Sequence, residues 1–153
     1  MNGRTGWLFV AAQAALLLGL VALSGFPRSD WPTPPLLRAL SALCTLGGLV
    51  VVVIASLQLG RSLTPTPVPN ERGVLRTSGL YGVVRHPIYS GLLLVVIGLA
   101  VRSASWFTAA VAVATIAFFH NKAAWEERRL AERYPDYPSY AATTGRFVPR
   151  IPR

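Results

Sequence analysis

An all-α integral membrane protein with about four transmembrane helices is the fold class this sequence predicts, on three observations. Of 153 residues, 52% are hydrophobic and only 14% charged, where a soluble domain carries roughly 25% charged residues. The apolar residues fall in long blocks, and mean hydropathy is +0.45. The net charge of +9 gathers between and after those blocks. The length suits one domain, 1–153, since domains run to about 100–200 residues.

The first block, Trp7–Phe26, has no charge over a length that spans a bilayer core. A secretory signal shares its basic start and small residues at Ala22–Gly25, but such signals have a core of only ~7–15 residues, so a retained helix is expected. The second block, Leu36–Gly60, is interrupted only by Arg38, which can snorkel to the interface, and by Gln58. Gly47-Gly48 in its middle suits close helix packing. Two shorter blocks, Pro87–Val101 and Ala104–His120, are separated only by Arg102 and Ser103 and should form a tight antiparallel hairpin. With no Pro or Gly in Lys122–Arg133, the last helix should run on into water and stop at Tyr134-Pro135. Pro32, Pro34 and Pro35 stiffen the first loop, and Thr64–Pro69 reads as a polyproline-like stretch.

Four alternating crossings put twelve of the fifteen basic residues on one side: Arg4, Arg61, Arg72, Arg76, Arg85 and seven after His120. By the positive-inside rule that side is cytoplasmic, with both termini on it; a multi-pass protein of a bacterial inner membrane is expected. The high pI of about 11.1 is thus a topology signal. A nucleic-acid binder would interleave basic and exposed aromatic residues on a soluble face, so no such partner is expected. Cys44 is the only cysteine, which excludes internal disulfides and cysteine-based zinc sites; no metal site is read from the sequence, and Cys44 is expected in the core. The apolar content excludes disorder.

Two features exceed what a bilayer-filling role needs. In Thr77–Gly91, Gly79 and Gly82 allow backbone conformations closed to other residues, and Pro87 stands where a helix starts. Arg85 and His86 therefore precede a helix N-terminus, a place suited to an anionic group, with Tyr81 and Tyr89 flanking it. The second feature is Glu126-Glu127, about 9 Å beyond His120 at 1.5 Å per residue, at the depth of His86. Taken singly, each has an ordinary reading: an interfacial anchor for His86, and helix-surface pairing of the glutamates with Lys122, Arg129 or Arg133. Together they predict one pocket at the membrane edge.

Arg85-His86-Pro87, an apolar hairpin, then Glu126-Glu127 resembles the signature of the isoprenylcysteine carboxyl methyltransferase family and the related phospholipid methyltransferases. Leu75–Tyr81 resembles the segment before it, and Tyr137, Tyr140 and Arg146–Pro149 resemble the family's tail; the likeness covers about residues 70–153. It implies an enzyme that moves a methyl group from S-adenosyl-L-methionine to a lipophilic acceptor, an isoprenylcysteine-type carboxylate or a lipid head group. Carried over residue by residue, it implies a cofactor pocket of Gly73, Val74, Leu75, Arg76, Tyr81, His86, Pro87, Ile88, Tyr89, Glu126 and Glu127. Arg85 and His86 take the catalytic roles. Lys122 stands where the prenylcysteine enzymes carry a substrate-contacting arginine, which keeps the charge and loses the bidentate fork. The absence of a GxGxxG fingerprint excludes the Rossmann-type pocket. The competing expectations are a membrane reductase using a nicotinamide cofactor and a non-catalytic lipid-binding subunit.

Overall fold

A computed structural model describes residues 3–26, 28–60 and 74–150. The expected polyproline-like stretch Thr64–Pro69, along with Gly73, Arg61 and Arg72, lies outside the described residues. The chain forms α1 (Gly3–Ser24), α2 (Pro35–Leu59), α3 (Leu80–Val83), α4 (Pro87–Ser103), α5 (Trp106–Arg133) and α6 (Tyr137–Thr143). No strand occurs among the described residues, only an isolated parallel bridge between Val84 and Gly145. The all-helical expectation holds.

Helices α1, α2 and α5 are long and apolar enough to cross a membrane, and α4 is a shorter apolar helix of 17 residues. At 1.5 Å per residue α4 is about 26 Å long, close to a hydrocarbon core of about 30 Å. It packs against α1, α2 and α5. The apolar part of α5 ends at His120, and Lys122–Arg133 is a polar extension of the same helix.

Helix α2 buries Ser41, Gly48 and Ala55, one residue every two turns, and turns Leu36, Leu43, Leu46 and Leu57 outward. Small residues inside and leucines outside is the pattern of a helix solvated by lipid. A Cβ on Gly48 would lie 2.5 Å from the Gly91 carbonyl oxygen, and one on Gly98 would lie 2.6 Å from that of Ser41. Helices α2 and α4 therefore touch backbone to backbone. Gly47 takes no part, with nothing within 4 Å of its Cβ position. Cys44 is only half-buried, so its expected core place is corrected: it sits between the packed face and the lipid face of α2. A second core joins Leu20 of α1 to Val96 and Ala100 of α4 and Ala112 of α5.

The α4–α5 turn falls later than expected. Arg102 and Ser103 remain helical, Ala104 adopts φ +46°, and Ser105 caps α5 by accepting the Thr108 N–H at 3.4 Å. The α1–α2 loop closes the same end of the bundle. Arg28 N–H donates to Ser103 C=O at 2.9 Å, Asp30 N–H to Ala104 C=O at 3.0 Å, and the Asp30 carboxylate accepts Trp106 N–H at 2.9 Å. The start of α1, the ends of α2 and α5, the start of α4, and α3 and α6 all lie at the opposite end.

Candidate functional site

Three segments meet at that opposite end. The first is the start of α4, where His86 is the N-cap and Pro87 the first helical residue. Proline there sacrifices no helical hydrogen bond and fixes the entry angle of the chain, which aims His86 at α5. Its side chain caps nothing in α4. The second is the polar extension of α5. The third is the segment after α6, which returns to pair with the first: Arg85 N–H donates to Gly145 C=O at 2.8 Å and His86 N–H to Arg146 C=O at 3.1 Å. Ser90 Oγ donates to the Phe147 carbonyl at 2.8 Å and ties the tail to α4.

Glu127 is the centre of this junction. It accepts from Arg85 Nε at 3.1 Å and Nη2 at 3.0 Å, and from Arg146 Nε at 3.0 Å and Nη2 at 2.6 Å. His86 Nε2 lies 3.2 Å from the same carboxylate; since an ionised carboxylate only accepts, that nitrogen carries the proton. Burial alone would raise the Glu127 pKa, but the hydrogen bonds from His86, Arg146 and Arg85 outweigh it and hold the carboxyl at about 2. The same pairing raises the Arg146 pKa. Arg85 is saturated, because its Nη1 also donates to the Ala141 and Thr144 carbonyls. It staples α6 to the start of α4.

Glu126 is placed differently. Its Oε2 accepts from the Tyr89 hydroxyl at 2.8 Å and lies 4.0 Å from His86 Nδ1. No arginine pairs with it among the described residues, and its side chain is 25% exposed against 13% for Glu127. The adjacent glutamates thus split into a saturated clamp and a carboxylate with an open oxygen. Tyr89 stacks on His86 with centroids 5.2 Å apart and planes 5° from parallel, so the ring that bonds Glu126 also fixes the imidazole.

The structure brings together Arg85, His86, Tyr89, Glu126 and Glu127, as the sequence predicts. Helix-surface pairing does not account for these glutamates: their partners come from α4 and the tail. Lys122 is buried; it bonds Gln13 of α1 and lies 5.2 Å over the Tyr89 ring. Tyr81 is 7% exposed, with its hydroxyl 3.4 Å from the Ala55 carbonyl, and its carbonyl accepts from Tyr140. Burial raises the Tyr140 pKa to about 12, so that hydroxyl stays a donor. Arg76 stands apart, lining a cleft of about 300 Å³ with Leu57, Gln58, Ser78 and Gly79. Gly79 is required there: it has φ +63°, and a Cβ would lie 2.7 Å from Gln58 Oε1, which caps α3 by accepting Leu80 N–H at 2.9 Å.

Two participants are not among the site residues expected from the sequence. Arg146 was legible only as a tail residue, and its approach to Glu127 depends on the backbone pairing at Gly145. Gln13 is a lone polar residue in an apolar helix, which is the signal that could have marked it. Among the described residues no group of three or more His, Cys, Asp or Glu side chains is placed to hold a metal ion.

Comparison with known proteins adds two findings. A family model described as phospholipid methyltransferase matches residues 36–137. The cobalt-zinc-cadmium resistance protein CzcN of Cupriavidus metallidurans is 34% identical over 132 residues, which cover 84% of this chain and 57% of that protein. The chain thus spans little more than half the length of this relative.

Proposed function

This chain belongs to the phospholipid methyltransferase family, and from that premise we propose that it transfers a methyl group from S-adenosyl-L-methionine to a lipophilic acceptor at the cytoplasmic face of a bacterial inner membrane. The observation that carries this reading is the convergence of His86 and Tyr89 from α4 with Glu126 from α5, at 4.0 and 2.8 Å, beside a glutamate that already has its partners.

The donor set fits that cofactor. Glu126 keeps an oxygen for an ammonium or a ribose diol, each of which donates hydrogen bonds to an ionised carboxylate. The uncapped start of α4 presents backbone amides that favour negative charge. Tyr89 and Phe147 supply aromatic surface beside His86, with Phe147 6.1 Å from the imidazole. When bound, S-adenosyl-L-methionine supplies an electrophilic methyl group on a sulfonium.

The chain's own work is then mostly positioning. Arg85 acts as a positioning residue through Glu127 and the carbonyls of α6. His86 presents Nδ1 on the Glu126 side while Glu127 fixes its tautomer, which leaves it an acceptor for a proton from a protonated amine. Lys122 gives the acceptor's polar end a cation where α1, α4 and α5 meet, so a lipid-borne substrate enters between helices without leaving the bilayer. Holding nucleophile and methyl carbon in line can lower the barrier by roughly 7–11 kcal/mol, and a half-dry site strengthens each charge interaction in it. Val74, Leu75 and Arg76 are assigned to the cofactor in this reading by the family resemblance, Arg76 from the separate cleft beside α3.

Calorimetry of the detergent-purified protein with S-adenosyl-L-methionine and, separately, NADPH tests it. Binding of the first and not the second is expected. Binding of NADPH alone would turn the assignment toward a reductase, and binding of neither by folded protein would leave the non-catalytic reading.

A further inference from the structure

Tyr137 opens α6, is 4% exposed, and packs its ring edge-on to Tyr140 at 5.9 Å. Its hydroxyl is buried and has no hydrogen-bond partner among the described residues. The groups that act on it are Glu127, Arg85, Glu126 and Tyr140, so it lies within the ion cluster while bonding to none of it. Glu127 does not take it because both of its oxygens are occupied by Arg85, His86 and Arg146.

A buried hydroxyl without a partner destabilises the fold that contains it. Phenylalanine would fill the same volume without that penalty, so folding alone gives no reason for a hydroxyl here. Burial, reinforced by Glu127 and Glu126, raises the phenol's pKa, which keeps it a donor. What it lacks is an acceptor. Beside it, the two guanidiniums of Arg85 and Arg146 share the single carboxylate of Glu127, one cation more than that carboxylate balances. An anionic oxygen at the Tyr137 hydroxyl supplies both the acceptor and the missing negative charge.

We propose that Tyr137 is a ligand-binding residue whose hydroxyl donates to a carboxylate of the molecule held between α4, α5 and α6. This rests on the methyltransferase reading, in which that carboxylate is the amino-acid end of the methyl donor. Tyr137 then reads the donor's carboxylate, Glu126 takes a donating group of the same molecule, and α6 becomes part of the pocket.

The test compares the binding of S-adenosyl-L-methionine and of its decarboxylated analogue to the native protein and to Tyr137→Phe, with the thermal midpoint of each ligand-free protein. Native protein should prefer the carboxylate-bearing compound. Tyr137→Phe should weaken that compound about tenfold or more, leave the analogue within about twofold, and melt at or above the native temperature. Tyr140→Phe is the control, expected to melt lower because its hydroxyl bonds the Tyr81 carbonyl. Equal weakening of both compounds, unchanged affinity for both, or a lower midpoint for Tyr137→Phe would overturn the proposal. If the native protein binds neither compound, the methyltransferase reading fails on its own. The ligand-free midpoints still decide on the hydroxyl: a midpoint at or above native supports an unpartnered group, and one below native overturns it.

Discussion

The two ends of the helical bundle are closed in contrasting ways. At one end two backbone hydrogen bonds and the single carboxylate of Asp30 join the α1–α2 loop to the α4–α5 turn, with Trp31 and Trp106 packed edge-on at 4.7 Å. At the other, two glutamates, two arginines, a histidine and several tyrosines crowd into partly buried space. The first end shows how little polar chemistry this fold needs to close a junction between helices. Desolvating charges opposes folding unless each is well paired, so the excess at the second end calls for a role beyond folding. Within that end the contrast repeats in miniature, with Glu127 saturated and Glu126 open.

The sharpest way to break the comparison is Glu127→Ala. It leaves Arg85 and Arg146 partly buried without a counter-charge, which for buried pairs costs about 3–5 kcal/mol. Thermal melts in detergent should fall further than for any other change at this end. Gly48→Leu probes the helix packing that both ends share: the added side chain meets the Gly91 carbonyl at 2.5 Å, and overpacking costs typically about 1–3 kcal/mol. Gly47→Leu, at a position with open space, should melt near the native temperature; equal losses at the two glycines would contradict the packing described.

The clamp also predicts an acid-sensitive step. Glu127 has a folded pKa of about 2 against a usual value of 4.5. Because the folded value is the lower one, its contribution is complete above about pH 4.5 and is lost as pH falls toward 2. Melting temperatures should drop between pH 5 and pH 3 in the native protein, and Glu127→Gln should remove much of that drop. The smallest effect belongs to the plain end. Asp30→Asn weakens one cap of α5 and should lower stability by about 1 kcal/mol with ligand affinity unchanged. A loss of binding in Asp30→Asn would show that the two ends are coupled.

Much of this contrast was legible in the amino-acid order. The apolar blocks fixed the helices to within a few residues, and Pro87 with the uninterrupted run to Arg133 placed His86 and the glutamates at one depth. The turn lies at Ala104-Ser105, two residues beyond the break that polar Arg102 and Ser103 suggest, because Ser105 supplies the cap of α5. Gly47 and Gly48 are adjacent, about 100° apart around the helix, and in a helix apolar on all sides no periodicity tells which one faces its neighbour. Arg146 and Tyr137 were hidden for another reason. Their positions follow from the tail's pairing with residues 84–86, a long-range contact set by backbone hydrogen bonds that leave no side-chain pattern.

In the proposed function Glu126 meets the methyl donor while Glu127 holds the fold. The most direct test of that division is the affinity of Glu126→Gln for S-adenosyl-L-methionine, read beside its melting temperature. A melting temperature near native with affinity reduced about tenfold or more is the result expected. Native affinity in Glu126→Gln would contradict it.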